Sequence, residues 1–368
     1  MSCRESNSEP LVVVTGADEN YSIGLAVTVQ SMLYHLDADR RVELYVLDGG
    51  ITPETKQRLL KSWSSPRMSI QWIDADVQSL SHLVTAGHLN HTTYLRLLIP
   101  DILPASVDKV LYLDSDLLIR RDLGLLWDEP LGEHAILAGQ ETGCPYVDSD
   151  IVFAQQPSKL SRLGTTTPVK NYRELGMNPY AKVFNAGILV INVDYWRKHN
   201  VPQLAFDCLE EHREHVLFCD QYALNVVLAD AWREVDTRWN QTAQVYVYGS
   251  VADSPFDAAT YQLLMDDPWV CHFTWMYKPW WQGCNHPFAD EFVEQMRRTE
   301  WRHDPLAANP MVQVAQAEAL VEKFESPTAR RNRTWGEWMQ KRRRKLQARW
   351  QRRLPAPQAV SQSDRNAA

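Results

Sequence analysis

Residues 110–119 read VLYLDSDLLI, so two aspartates, Asp114 and Asp116, stand between two strongly apolar runs. The composition of the first run predicts a buried strand from Lys109 to Leu113. A charge at the end of such a strand costs free energy unless a cation or a ligand compensates it. The pair is therefore the first candidate for a functional site in this chain.

The Asp-x-Asp pattern admits two interpretations. A tight turn can direct both carboxylates toward one point, and hard divalent cations such as Mg²⁺ and Mn²⁺ prefer oxygen ligands of this kind. In a purely structural alternative, Asp114 caps the next turn and Asp116 is solvated. The buried strand that precedes the pair favours the metal.

Strands and helices alternate along the chain around this pair. Periodicity predicts strands at 11–15, 42–47, 68–73, 109–113, 187–193 and 270–274, and helices at 23–36, 53–63, 92–99, 202–215 and 220–229. This alternation predicts an α/β protein with a mostly parallel central sheet flanked by helices. Ligands bind such sheets at the carboxyl ends of the strands, where Asp114 and Asp116 are expected. Residues 142–180 are predicted to form a long loop or a small subdomain.

Composition narrows the class of protein. With 368 residues, 45% hydrophobic and 23% charged, the chain is typical of a soluble globular protein. No apolar run reaches the roughly 18 residues needed to cross a bilayer. The polar N-terminus, residues 1–10, lacks a secretory signal, so we expect a cytoplasmic protein and unused glycosylation sequons at Asn90, Asn240 and Asn332. The six cysteines show no Cys-x-x-Cys spacing, which argues against a zinc ribbon or a disulfide framework.

Charge is distributed unevenly between the body and the C-terminal segment. Residues 330–353 contain eleven Lys or Arg residues and one acidic residue, so this stretch carries +10 while the whole chain carries −8. The acidic body argues against nucleic acid as a partner.

Projected on a helix, one sector of the basic stretch is apolar and contains Trp335, Trp338, Met339, Leu346, Trp350 and Leu354. We predict a basic amphipathic segment at 327–354 that associates with an anionic membrane surface, followed by a disordered tail at 355–368. A solvated basic helix or an RNA-contacting arm is the alternative.

A second motif follows the first strand, where residues 15–21 read TGADENY. The small residues Gly16 and Ala17 let a ligand approach the backbone, Asp18 and Asn20 offer hydrogen-bonding groups, and Tyr21 can stack on a base. The pattern is not Gly-x-Gly-x-x-Gly, so a Rossmann dinucleotide site has no direct support. A simple capped loop is the structural alternative.

Three further motifs follow in order, FNAG at 184–187, DQ at 220–221 and CHFTWMYKPW at 271–280. Together, over about Leu11 to Trp281, the ordered set resembles glycosyltransferase family 8. This is a family of retaining transferases with a GT-A fold that includes bacterial lipooligosaccharide galactosyltransferases and glycogenin. The resemblance implies a Rossmann-like GT-A catalytic domain over residues 11–290, a C-terminal helical region over 291–326, and then the basic extension.

The resemblance also implies roles for individual residues. It assigns donor-substrate binding to Gly16, Ala17, Asp18, Asn20, Tyr21, Arg96, Ser115 and Lys278, the last on the diphosphate. It assigns a Mn²⁺ or Mg²⁺ ion to Asp114, Asp116 and His272. Residues around the transferred sugar and the reacting face would be Asn185, Asp220 and Gln221. The identity of any enzymic nucleophile stays open, because Gln221 is chemically poor in that role.

These assignments predict a metal-dependent retaining transferase that moves galactose or glucose from a UDP-sugar to a hydroxyl of a glycan or glycolipid, as in lipopolysaccharide biosynthesis, on the inner face of a membrane. A metal-dependent nucleotidyltransferase and a non-catalytic UDP-sugar- or glycan-binding protein are the alternatives. Bulky residues at 275–277 replace the small ones that bacterial galactosyltransferases carry there, which leaves the acceptor geometry open. Residues 140–142 lie where a donor-sugar carboxylate is expected.

Overall fold

A computed structural model describes residues 9–85, 91–154, 167–248, 250–274, 278–281, 284 and 286–304. Several predicted segments lie outside these residues, namely most of the polar N-terminus, residues 305–326, the basic segment at 327–354 and the tail at 355–368. The bulky residues at 275–277 also lie outside them.

The strands of the described residues form two sheets. In chain order they are β1 (Leu11–Ala17), β2 (Val42–Asp48), β3 (Met68–Asp74), β4 (Lys109–Leu113), β5 (Leu117–Ile119), β6 (Ile136–Gln140), β7 (Phe184–Asn192), β8 (Trp232–Glu234), β9 (Gln241–Thr242) and β10 (Val270–His272). The larger sheet has the order β3-β2-β1-β4-β7-β6-β8, and all its strands run parallel except β7. The smaller sheet has the order β5-β10-β9. The predicted α/β class with a mostly parallel sheet is confirmed.

The α-helices are α1 (Ser22–His35), α2 (Pro53–Ser62), α3 (Ile99–Ile102), α4 (Gly124–Trp127), α5 (Ser149–Ala154), α6 (Val193–Lys198), α7 (Val201–Glu211), α8 (Asp220–Val227), α9 (Ala258–Asp266) and α10 (Ala289–Met296). Short 3₁₀ segments complete the described elements at Glu19–Tyr21, Val77–Leu80, His91–Leu98, Arg213–His215, Thr237–Asn240, Ala243–Val247 and Val251–Asp253. Helix α2 begins as its sequence predicts, because Thr52 Oγ1 accepts a hydrogen bond from Thr55 N at 3.3 Å and Pro53 occupies the first turn.

The predicted helix over 92–99 differs from the structure. The chain forms a 3₁₀ segment from His91 to Leu98 and then the separate short helix α3. Pro100 lies in the first turn of α3, and because it has no N–H it cannot continue an α-helical ladder from the preceding turn. The predicted loop over 142–180 likewise contains helix α5 and a bridge between Tyr146 and Lys182.

Hydrophobic cores lie on both faces of the larger sheet. On one face, α1, β5, β10 and α10 pack around residues such as Leu25, Leu113 and Trp280. On the other face, the 3₁₀ segment His91–Leu98 and helices α6 to α8 pack around Tyr94, Leu189 and others. The charged residues that follow β4 therefore emerge between two well-packed layers. Among the described residues, no helix is long and apolar enough to span a membrane.

Candidate active site

The site forms at the edge of the larger sheet where the parallel strands end. Strands β1, β4 and β6 end at this edge, and the antiparallel strand β7 begins there. Asp114 directly follows β4, and its backbone N–H donates to the carbonyl of Gly187 on β7 at 2.8 Å. Because β5 starts at Leu117 in the smaller sheet, residues 114–116 connect the two sheets.

Strand pairing in the smaller sheet delivers His272 to this connection. Strand β10 runs antiparallel to β5 and pairs His272 with Leu117, next to Asp116. His272 Nε2 lies 3.2 Å from Asp116 Oδ1 and 3.6 Å from Asp114 Oδ2. Ligand atoms of these three residues all lie within 4.8 Å of one another, so they could hold one metal ion. Two carboxylates and one imidazole suit Mn²⁺ or Mg²⁺.

The backbone at Gly187 fits such a centre closely. A Cβ placed on Gly187 would lie 2.2 Å from His272 Cε1 and 2.8 Å from Asp114 Oδ2. Contacts under 3.0 Å are not tolerated by rigid neighbours. Any larger residue at 187 would therefore push apart the groups that could bind the ion, which explains the glycine in the FNAG motif.

Lys278 forms an ion pair with Asp116. Its side chain is 1% exposed, its ammonium contacts Asp116 Oδ2, and it donates to the carbonyl of Phe273 at 2.6 Å. Burial alone would raise the pKa of Asp116, but the neighbouring Lys278 and His272 hold it well below the ordinary value. Asp116 therefore stays ionised, as a metal ligand must.

Arg96 joins two other carboxylates. Its Nη2 lies 2.9 Å from Asp114 Oδ1 and its Nε lies 2.9 Å from Asp220 Oδ2, while Nη1 donates to the carbonyl of Ala186. Burial raises the pKa of both Asp114 and Asp220, and the Arg96 guanidinium opposes that rise. The same guanidinium stacks over the Tyr112 ring at 4.4 Å, and Tyr112 OH donates to Asp114 Oδ1 at 2.9 Å.

The predicted nucleotide loop forms one wall of the same cleft. Asp18 Oδ1 caps the 3₁₀ segment by accepting from Tyr21 N at 3.1 Å. The cleft is lined by Gly16, Ala17, Asp18, Tyr21, Thr92, Thr93, Arg96, Tyr112, Asp114, Ser115 and Asp116. Asn20 is exposed and is not part of this lining, and its amide donates to Asp18 Oδ2 at 3.3 Å. The Tyr21 ring lies 5.5 Å from the Lys278 ammonium and packs edge-on against Trp280.

At the start of β7, two amide side chains donate to one buried carboxylate. Glu141 Oε2 accepts from Asn185 Nδ2 at 2.7 Å and from Gln221 Nε2 at 3.1 Å. Gln221 Oε1 in turn accepts from Ala186 N at 2.9 Å. Asp220, the neighbour of Gln221 at the start of α8, accepts from Thr93 Oγ1 at 2.7 Å. Asn185, Asp220 and Gln221 thus meet at the edge where β7 begins.

Sequence reasoning missed several members of this site. Tyr112 and Thr93 lie inside predicted elements, where nothing distinguishes them from core residues. Asn240 carries only a glycosylation sequon as its signal, yet its side chain is fully buried and its Oδ1 lies 2.9 Å from His272 Nδ1. Glu141 falls within residues 140–142, for which only the family resemblance predicts a role.

Comparison with known proteins identifies the family. Residues 12–284 match the family described as Glycosyl transferase family 8. The chain is 29% identical to general stress protein A of Bacillus subtilis over 80% of this chain and 95% of that protein. It is 24% identical to lipopolysaccharide 1,3-galactosyltransferase of Salmonella typhimurium over 84% of each chain.

A solved structure agrees with the sequence comparison. The galactosyltransferase LgtC, solved in complex with donor and acceptor sugar analogues, superposes with a TM-score of 0.64 at 25% identity. The match covers 79% of this chain and 99% of LgtC. The α/β fold with its mixed, mostly parallel sheet is thus the fold of a known sugar transferase. The chain belongs to glycosyltransferase family 8.

Proposed function

We propose that this glycosyltransferase moves a hexose, galactose or glucose, from a UDP-sugar to a hydroxyl of a glycan or glycolipid, with a divalent cation and with retention at the anomeric carbon. The observation that carries the proposal is the convergence of Asp114, Asp116 and His272 within 4.8 Å, beside the cationic side chains Lys278 and Arg96. The relatives with lipopolysaccharide galactosyl- and glucosyltransferase names support a hexose donor.

Asp114, Asp116 and His272 would hold the cation, which supplies Lewis-acid stabilisation of the leaving diphosphate when it is bound. Lys278 adds a buried positive charge next to Asp116. In this poorly solvated environment, its ammonium stabilises growing negative charge on the diphosphate more strongly than it could in water. The lysine therefore stabilises the transition state more than it stabilises the bound donor, which lowers the barrier to departure of UDP.

The nucleotide half of the donor fits the loop after β1. Gly16 and Ala17 allow close approach of a ribose or a phosphate to the backbone, and Asp18 presents a carboxylate to donor hydroxyls. The Tyr21 ring offers a face for the uracil. These residues bind and orient the donor so that its diphosphate points toward Lys278 and its sugar toward the start of β7.

On the sugar side, Asn185 and Gln221 offer neutral amides and Asp220 offers a carboxylate. As UDP departs, the anomeric centre gains positive charge, which the Asp220 carboxylate can stabilise electrostatically. Gln221 and Asn185 position the sugar by hydrogen bonds, and the acceptor hydroxyl attacks on the face that the diphosphate leaves and gives up its proton to an oxygen of the departing phosphate. Attack on that face retains the anomeric configuration.

A matched pair of variants tests this function. With UDP-galactose or UDP-glucose and Mn²⁺, Asp116→Asn should reduce UDP release at least about 1,000-fold, since the substitution removes an ionised metal ligand. Asp39→Asn, an exposed aspartate outside the site, should leave the rate unchanged. Undiminished turnover by Asp116→Asn would overturn the proposal.

Pyrophosphate release from a nucleoside triphosphate would favour the nucleotidyltransferase, and tight UDP binding without turnover would favour the binding protein.

The basic segment at 327–354 supports a glycolipid acceptor on the cytoplasmic face of an anionic membrane. Its tryptophans and its positive charge are the features that hold a helix at a lipid interface. In co-sedimentation with anionic vesicles, the full chain should bind, and replacement of Trp335, Trp338 and Trp350 by Ser should release most of it. Unchanged binding of that variant would reject this segment as the anchor.

A further inference from the structure

A continuous line of hydrogen bonds connects the candidate metal ligand to the sugar side of the site. His272 Nδ1 lies 2.9 Å from Asn240 Oδ1, and Asn240 Nδ2 lies 2.9 Å from Asn185 Oδ1. Asn185 Nδ2 then donates to Glu141 Oε2 at 2.7 Å. All four side chains are at least nine-tenths buried, and Asn240 is completely buried.

Which atom donates and which accepts in each of these bonds follows from a neighbouring group that can only donate. The backbone N–H of Gly187 can only donate, and it donates to Asn185 Oδ1 at 2.9 Å. The other end of the Asn185 amide must therefore be its NH₂ group, which faces the Glu141 carboxylate. Asn240 must then turn its own NH₂ group toward Asn185 Oδ1 and its oxygen toward His272. An oxygen at that place accepts only if His272 carries its proton on Nδ1.

We propose that Asn240 is a positioning residue that holds the His272 imidazole with its proton on Nδ1 and its Nε2 lone pair aimed at Asp114 and Asp116. The inference rests on the proposed metal-dependent function, because it concerns the ligand geometry of that metal. Metal-binding imidazoles depend on the partner of their second nitrogen, which sets both ring orientation and basicity.

Asn240 also ties this orientation to the reacting face. It lies at the end of the 3₁₀ segment Thr237–Asn240, just before β9, and it contacts Asn185 at the start of β7. The Glu141 carboxylate that orients Asn185 also accepts from Gln221. Displacement of Asn240 would therefore disturb both the metal ligand and the amides that face the sugar.

Three variants separate this role from a merely structural one. Asn240→Leu removes the oxygen that faces His272, and Mn²⁺ affinity, measured by calorimetry on the full chain without donor, should fall at least about tenfold. Asn240→Asp keeps that oxygen but loses the NH₂ group, so Mn²⁺ affinity should stay within about threefold while the turnover number falls about tenfold. Asn171→Leu is the matched control, because Asn171 is another buried asparagine whose oxygen accepts from Tyr222. It should leave Mn²⁺ affinity unchanged.

The outcomes distinguish this inference from the proposed function. If the unaltered protein binds no Mn²⁺, the metal-dependent function fails. If it binds Mn²⁺ but Asn240→Leu binds equally well, or Asn240→Asp loses as much affinity as Asn240→Leu, the positioning role alone is overturned. An equal loss in Asn171→Leu would reduce the effect to general loosening of the core and would also overturn it. Should Asn240→Leu not fold, the comparison of Asn240→Asp with Asn171→Leu still decides, since affinity lost in the former rejects the inference.

Discussion

The two ends of the site balance their buried polar groups in different ways. At the charged end, three carboxylates (Asp114, Asp116 and Asp220) meet two cations (Arg96 and Lys278) in ion pairs. At the amide end, Asn185 and Gln221 donate to the single carboxylate of Glu141, and Asn240 donates to Asn185. The charged end is suited to an ion and a diphosphate, whereas the amide end is suited to neutral hydroxyl groups.

The charge count makes this difference more specific. Three carboxylates and two cations leave one negative charge in excess at the charged end, which a divalent cation would convert to one positive charge. A diphosphate would then meet a complementary field. The amide side chains are neutral, and their hydrogen bonds depend on the relative orientation of donor and acceptor. They therefore select the orientation of a ligand. The comparison predicts that changes at the charged end act mainly through electrostatics and changes at the amide end through geometry.

The largest expected effect comes from closing the space where the two ends meet. Gly187→Ala would place a methyl group 2.2 Å from His272 Cε1, so the histidine and Asp114 must separate. We expect Mn²⁺-dependent UDP release to fall at least about 1,000-fold, equivalent to about 4 kcal/mol of transition-state stabilisation. The check is steady-state turnover together with near-ultraviolet circular dichroism, which should remain native. Turnover within tenfold of the unaltered protein would show that these ligands do not act together.

Removal of the Lys278 charge should lower stability. Lys278→Met leaves the buried Asp116 carboxylate without its ammonium partner, and breaking a buried ion pair costs about 3 kcal/mol of unfolding free energy. Urea unfolding of the metal-free protein measures this. The matched control is Lys198→Met, whose partner Asp194 lies on an exposed helix surface, and it should unfold like the unaltered protein. Equal stability of both variants would contradict an electrostatic role for Lys278.

Arg96 contacts two carboxylates of the charged end and the Ala186 carbonyl at once, so its shape should matter as much as its charge. Arg96→Lys keeps the charge but cannot contact Asp114, Asp220 and the Ala186 carbonyl together. We expect turnover to fall about 100-fold, or about 2.7 kcal/mol. Arg197→Lys removes a similar guanidinium fork that binds backbone carbonyls such as that of Val107, and it should leave turnover unchanged. A fall of the same size in both variants would remove the distinction.

A smaller effect concerns the layer behind β10. His286 packs against Phe273 and Tyr246, and burial lowers its pKa to about 4. The unfolded chain takes up this proton below about pH 6.5 whereas the folded protein stays neutral there, so stability is lost as the pH falls toward 4. Between about pH 7.5 and about pH 5 the loss should be about 2 kcal/mol. In urea titrations, His286→Phe should flatten this dependence and exposed His303→Gln should keep it, whereas an unchanged slope in His286→Phe would contradict this assignment.

The sequence predicts the charged end better than the amide end, for a physical reason. Asp114 and Asp116 directly follow an apolar strand. The free-energy cost of placing two charges there can be recognised from residues 110–119 alone. The alternation of strands and helices in the first half of the chain also predicts a parallel sheet, and therefore the edge at which these aspartates lie. Asn240 and Glu141, by contrast, gain their roles through partners 32 to 80 positions away in the chain. No local pattern marks such residues, because neutral amides are common in turns and caps.

Short elements escaped prediction for a related reason. Strand β6 is five residues long and contains Gly139, and strands β5, β8 and β9 are shorter still. None of them shows a clear alternation of apolar and polar residues, which is the pattern that predicts a strand. They form because neighbouring strands supply the hydrogen bonds. His272 reaches Asp116 only through the pairing of β5 with β10. The sequence predicts β10 but not β5, so the candidate metal-binding group depends on one strand whose own sequence is uninformative.

We propose that the charged end and the amide end together perform metal-dependent transfer with retention. The most direct measurement is proton NMR of the full chain with UDP-galactose or UDP-glucose, with and without Mn²⁺, since water can replace the acceptor in such reactions. We expect UDP release only with the metal, and an α-hexose as the first product because the donor is α-linked. A β-hexose formed first, or equal release in the presence of a chelator, would contradict it.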